Sequence, residues 1–214
     1  MGQFTAILAG TNEGKSLFAI RKMAEHTVRG DCSIIYFSDT NNVMQKCRAY
    51  EGVTQNHRAV VVYLQSTTDC ITTMNDALVG RDYDCIFVDY HRQDDEFISY
   101  LHGLSRNHNV FFTYQLPRAA IESESLTDVI PPDVIIPLTS RIVFLLRDDV
   151  GIIAEYNFDK DSHSFGLCRY YFIETGVNKY PRLDLFGEMY DPTEHPWRIA
   201  DKIDNHVQSR SPIL

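Results

Sequence analysis

No stretch of this chain approaches the roughly 20 consecutive apolar residues that a membrane-spanning helix needs. No helical membrane anchor is therefore expected. Met1 to Gln3 run straight into a strand-like segment, without the charged and apolar regions of a secretory signal, so the expected location is the cytoplasm. No Cys-x-x-Cys pair occurs among the cysteines at 32, 47, 70, 85 and 168. Most of them sit inside apolar runs and read as buried free thiols in a reducing compartment. No two histidines are three or four residues apart, the spacing that sets two ligands on one helix face. The closest pair is His102 and His108, and no transition-metal site is expected. Basic residues are also short: 20 against 29 acidic, a formal charge of −9. Strong nonspecific binding of nucleic acid by the isolated chain is therefore disfavoured, although a ring or filament can still present a few Lys and Arg locally. Internal repeats and low-complexity segments are missing as well.

What is present is a regular alternation of short apolar runs and helix-period segments. Phe4–Ala9, Ser33–Phe37, Ala59–Leu64, Cys85–Val88 and Val110–Tyr114 read as strands. Ser16–Val28, Asn42–Tyr50, Thr72–Val79 and Glu96–Arg106 read as the helices between them. Strands that are apolar nearly throughout, alternating with helices, predict an α/β fold with a mostly parallel sheet covered on both faces. From Pro117 to Pro137 the chain carries four prolines and reads as a long loop. Arg141–Leu146, Gly151–Tyr156 and Leu167–Ile173 lack long helices between them and predict antiparallel strands added at one side of the sheet. Residues 1–190 are expected to form one domain and 191–214 a C-terminal extension, with a short helix around Trp197 to His206.

The sharpest motif is Ala9-Gly10-Thr11-Asn12-Glu13-Gly14-Lys15-Ser16, set between the first strand and the first helix, with Leu17 next to it as a further cofactor-binding candidate. It matches the Walker A phosphate loop with alanine in place of the first glycine. Gly10 and Gly14 let the backbone wrap an anion, and successive N–H groups form the binding nest. The helix start adds its positive dipole end. Lys15 is suited to the β- and γ-phosphates of ATP, and Ser16 to a magnesium ion. Such a site needs a carboxylate on a neighbouring strand to hold magnesium. Asp89 closes the apolar strand Cys85–Val88 and fills that role. Asp39 follows the second strand at the same edge of the sheet. It is the candidate for activating water, against the plainer reading of a turn residue. Asp94, Asp95 and Glu96 read as acids at a helix start.

Several segments, taken together and in order, resemble the RecA-like ATPase core of the DnaB replicative helicases. Asn12 to Ala19 is similar to that family's phosphate loop and helix start. Tyr36-Phe37-Ser38 resembles the strand leading to its catalytic glutamate, and Val88-Asp89-Tyr90 its Walker B end. Tyr114-Gln115-Leu116-Pro117-Arg118 resembles its fifth-strand motif, whose glutamine senses the γ-phosphate. Arg141 to Asp149 is similar to the strand that follows. The resemblance spans residues 4 to 173. It implies an ATP- and Mg2+-dependent hydrolase acting on single- or double-stranded DNA as a homo-oligomeric ring or filament, with Gln115 a site residue.

The chain departs from the family in two places. The catalytic glutamate falls at Thr40, leaving Asp39 as the nearest acid, and the trans-acting basic positions are represented only by Lys160. Together with the missing collar domain these departures point to a compact viral or accessory relative, in the host cytoplasm if viral. The segment 117–137, where DNA-contacting loops are expected, holds Glu122, Glu124, Asp128 and Asp133 against Arg118, a poor match for phosphate. Tyr170-Tyr171-Phe172 reads as core or interface rather than a base-stacking platform. Gln115-Leu116-Pro117 also resembles a motif of the FtsK–HerA genome-packaging ATPases, which place glutamate where this chain has Tyr90. A third reading is a nucleotide-dependent regulatory or structural protein that hydrolyses ATP poorly. A small-molecule kinase is disfavoured by the lack of an Arg-rich lid segment.

Overall fold

The computed structural model describes residues 2–12, 14–28, 32–40, 42–48, 59–65, 69–117, 134–147, 153–160, 164–174 and 181–188. The strands are β1 (Phe4–Ala9), β2 (Ile34–Ser38), β3 (Ala59–Tyr63), β4 (Cys85–Asp89), β5 (Asn109–Gln115), β6 (Arg141–Arg147), β7 (Ile153–Asp159), β8 (Ser164–Glu174) and β9 (Pro181–Glu188). The helices are α1 (Lys15–Val28), α2 (Val43–Arg48), α3 (Cys70–Leu78), α4 (Asp95–Leu104) and α5 (Ile135–Leu138). All nine strands form one sheet in the order β3-β2-β4-β5-β1-β6-β7-β8-β9. The first six are parallel, and β7, β8 and β9 continue the sheet antiparallel.

The continuous apolar strands have the cause the pattern suggested: each central strand is buried on both faces. Alternate side chains divide between two cores, as the period of two requires. On one face Phe4, Ala6 and Leu8 of β1 pack with Ile86 and Val88 of β4 under Phe97, Ile98 and Leu101 of α4 and Met74 of α3. On the other, Ile7 and Ala9 pack with Phe87 and Phe111 under Phe18, Ile20 and Met23 of α1. Side-chain caps start two of the helices. Asp69 accepts from Ile71 N at 3.1 Å, and Asp94 accepts from Phe97 N at 2.9 Å.

Two expectations for the C-terminal half are corrected. Arg141–Leu146 was expected to be antiparallel, yet β6 lies parallel to β1, with Thr5 opposite Arg141 and Ala9 opposite Leu145. The physical reason is that the chain leaving β5 returns to the opposite edge of the sheet before β6 begins. There Ser140 N donates to Phe4 O at 2.9 Å, and Phe4 N donates to Ser140 Oγ at 3.1 Å. A fourth late strand, β9, was not expected at all. Part of the loop expected over 117–137 is the short helix α5; residues 118–133 lie outside the described residues, as do the C-terminal extension and its expected helix.

Candidate functional site

Parallel strands place their C-terminal ends along one edge, and the chain's polar residues gather there. β5 lies between β1 and β4, with Ala9 level with Gln115 and Val88 level with Phe112. A cleft of about 430 Å3 opens at this edge, lined by Thr11, Asn12, Gly14, Lys15, Ser16 and Leu17 on the loop and start of α1. Asp39, Thr40, Asp89, Tyr90, His91, Thr113 and Gln115 line it from β2, β4 and β5, and Lys46 from α2. Its volume is in the range of small-molecule sites.

The loop between β1 and α1 is shaped by its backbone. Asn12 and Gly14 both have positive φ, 64° and 86°. Asparagine tolerates that region and glycine adopts it without penalty. The turn delivers the chain into α1, whose first helical bond runs from Phe18 N to Gly14 O at 2.9 Å. Lys15 reaches back across the loop, and its Nζ donates to Gly10 O at 2.7 Å. Gly10 is buried and contributes this carbonyl rather than a cleft wall. Gln115 Nε2 donates to Thr11 Oγ1 at 2.7 Å, tying the end of β5 to the loop. Glu13 lies outside the described residues.

Asp89 is buried, 6% exposed, beneath the cleft. Thr113 Oγ1 donates to its Oδ1 at 2.8 Å and Tyr36 OH donates to its Oδ2 at 3.2 Å. Burial, and then the negative charge of Asp89, push the Tyr36 phenol well above its ordinary range, so it stays a donor. Each carboxylate oxygen has two acceptor sites, so each retains one beyond these bonds. Asp39, level with the start of the loop after β4, pairs through Oδ2 with His91 Nδ1. Thr40 N is held by Ser38 Oγ at 3.0 Å.

Of the expected site residues, Thr11, Asn12, Gly14, Lys15, Ser16, Leu17, Asp39, Asp89 and Gln115 thus share one cleft. Sequence reasoning missed Tyr36, Thr113, His91 and Lys46. Thr113 carries a signal in retrospect: it stands two residues before Gln115, on the same face of an otherwise apolar strand. His91 and Asp39 meet only because β2 and β4 pair with Ser38 opposite Asp89.

The cleft sets the Lys15 ammonium beside hard oxygen donors. Ser16 and Asp89 offer a hydroxyl and a carboxylate, the donor set magnesium takes alongside phosphate oxygens and water. These residues fit that ion. Lys160 lies elsewhere: its Nζ donates to Thr139 O at 2.7 Å and to Ile136 O, at the opposite edge of the sheet. Among the described residues no helix is long and apolar enough to cross a membrane. No protein-family model and no curated protein matches the chain.

Proposed function

We propose that this chain is a P-loop ATPase with a RecA-like core, binding ATP and Mg2+ at the cleft beside α1 and acting on DNA as a homo-oligomer. The observation that carries the reading is the meeting of Gly14, Lys15 and Ser16 with Asp89 and Gln115 at one sheet edge. Three separate segments supply a phosphate cradle, a buried carboxylate and a polar amide within a single cleft. The strand order adds support, since β5 stands between the loop strand and the Asp89 strand and brings Gln115 to the loop.

In this reading Lys15 exchanges the Gly10 carbonyl for phosphate oxygens, and the N–H groups of the loop cradle the remaining charge. Ser16 and Asp89 hold magnesium, which when bound neutralises charge on the β- and γ-phosphates. Tyr36 and Thr113 fix the orientation of Asp89. Asp39, oriented by His91, accepts the proton of the attacking water as its oxygen bonds to the γ-phosphorus. The bond from that phosphorus to the bridging oxygen breaks, and ADP leaves.

The poorly hydrolysing regulatory reading has one observation of its own. Lys160, the basic residue nearest the family's trans-acting position, is bonded to main-chain carbonyls of its own chain. The packaging reading keeps the same site and differs in its activator. The discriminating experiment is ATP hydrolysis by the purified protein with and without single-stranded DNA, beside Lys15→Ala. Turnover that DNA stimulates, and that the variant lowers by about 10²–10³-fold, supports the motor. Lysine-dependent ATP binding without stimulated turnover supports the regulatory protein. Unchanged turnover in the variant refutes the site.

A further inference from the structure

At the other end of α1, three soft donors converge from distant parts of the sequence. Cys32 precedes β2, Cys85 opens β4, and His26 lies in the last turn of α1. Cys32 Sγ and Cys85 Sγ are 3.7 Å apart, and Cys85 Sγ is 3.9 Å from His26 Nδ1. All three donor atoms lie within 4.8 Å of one another. A tetrahedral zinc with Zn–S of about 2.3 Å and Zn–N of about 2.0 Å separates its two sulfurs by about 3.8 Å and sulfur from nitrogen by about 3.5 Å. The sulfurs already stand at that separation; the imidazole is a few tenths of an ångström too far from Cys85 and lies within 4.8 Å of Cys32, so the ring must swing inward to complete the set.

The surroundings match a ligand set. The His26 ring is held against the aromatic pair below it, with centroids 5.3 Å from Phe111 and 6.1 Å from Phe87. Asn109 accepts from Gln3 N through its amide oxygen at 3.0 Å, and its side chain stands near Cys85, where it favours the thiolate. A polar group beside a coordinating sulfur is the kind of outer contact that orients metal ligands. Cys85 is buried, whereas Cys32 and His26 are partly open to solvent, so an ion can enter and a water can complete four-coordination.

We propose that His26, Cys32 and Cys85 bind one divalent cation of the zinc class. The cation pins the tail of α1 to the starts of β2 and β4. Histidine spacing gave no hint of it, because two of the donors are cysteines, one just before β2 and one at the start of its neighbour β4. The site is independent of the phosphate cleft and stands or falls separately from it.

The test is Co2+ and then Zn2+ added to the reduced, chelator-treated full chain. One equivalent of Co2+ gives a thiolate-to-cobalt absorption band and the visible bands of a tetrahedral site, both abolished by Zn2+. Cys32→Ser, at a partly exposed position, keeps the far-UV circular dichroism and weakens Zn2+ binding by roughly a hundredfold. His26→Gln does the same, and Cys47→Ser, at a distant thiol, leaves binding intact. Zn2+ also raises the melting temperature of the wild type and not of Cys32→Ser. The proposal is overturned if no band develops while thiol titration shows both cysteines reduced. It is equally overturned if Cys32→Ser binds as wild type, or if the two sulfurs are recovered as a disulfide that takes up no metal.

Discussion

Replacing Thr113 with valine keeps the volume of the side chain and removes one hydroxyl from the surroundings of Asp89. Both residues are buried, Asp89 at 6% exposure and Thr113 at 5%, so water replaces the lost donor poorly. The bond lost is the 2.8 Å contact to Asp89 Oδ1, which leaves Tyr36 as the side-chain donor on the other oxygen. A hydrogen bond to a charged group contributes about 1.5–3 kcal/mol. For a chain of this size, each kcal/mol moves the melting temperature by about 2–4 °C. Thr113→Val should therefore lose about 1.5–3 kcal/mol in urea unfolding without nucleotide, and melt roughly 3–12 °C lower. The decisive assay is a double-mutant cycle with Asp89→Asn. Once the acceptor is neutral, the same hydroxyl contributes only about 0.5–1.5 kcal/mol, so the loss should shrink by about 1 kcal/mol or more. Equal losses in the two backgrounds would refute the idea that Thr113 acts by holding a buried charge.

Gly14→Ala forces a Cβ onto a φ of 86°, a conformation that costs an L-residue roughly 1–2 kcal/mol; ATP affinity measured by calorimetry should fall by about tenfold or more as the loop relaxes. Asp39→Asn should leave ATP affinity nearly unchanged and lower kcat by about 10²-fold or more, the share of a general base; a kcat within a factor of two of wild type removes Asp39 from the chemistry. Asp94→Ala removes the cap on Phe97 N and should cost about 1 kcal/mol at neutral pH. The Arg92 side chain, and then the Phe97 N–H, lower the Asp94 carboxyl below its ordinary 3.8. The folded state thus favours the anion, and the cap's contribution is full above about pH 4 and lost as the pH falls through the depressed value. The stability difference between wild type and Asp94→Ala should therefore shrink on acidification, and a gap that is constant from pH 6 to pH 3 rules out an ionic cap.

The turn between β1 and α1 was legible because its residues are contiguous and its glycine spacing reflects backbone geometry, not long-range packing. Asp89 was legible because a carboxylate ending an apolar run has few places to lie except the edge of a sheet. The alternation of β1 to β5 with helices was equally plain, since two-sided burial leaves unbroken apolar runs. The direction of β6 was not, because it depends on where the chain between Leu116 and Arg141 crosses the sheet, and that segment carries only a four-residue helix among the described residues. β9 escaped because its alternation, Arg182-Leu183-Asp184-Leu185, is only four residues long and breaks at Phe186-Gly187. Tyr36 and His91 became site residues only through the pairing of β2 with β4. Register is a property of the assembled sheet, and single-strand patterns do not encode it.

The junction at the end of β5 has a mechanical meaning. Gln115 is bonded to Thr11 through its side chain, and the next residue, Leu116, donates its N–H to Ala9 O at 2.9 Å while its side chain is buried at 2% exposure. Two consecutive residues are thus riveted to the start of the turn that leads into α1, at Ala9 and Thr11, and Pro117 follows at once with its fixed φ. There is almost no slack between the loop and the chain that leaves the sheet. A shift of Thr11 by a fraction of an ångström therefore bears directly on Gln115 and on the point where the chain leaves the sheet, as a short stiff lever would.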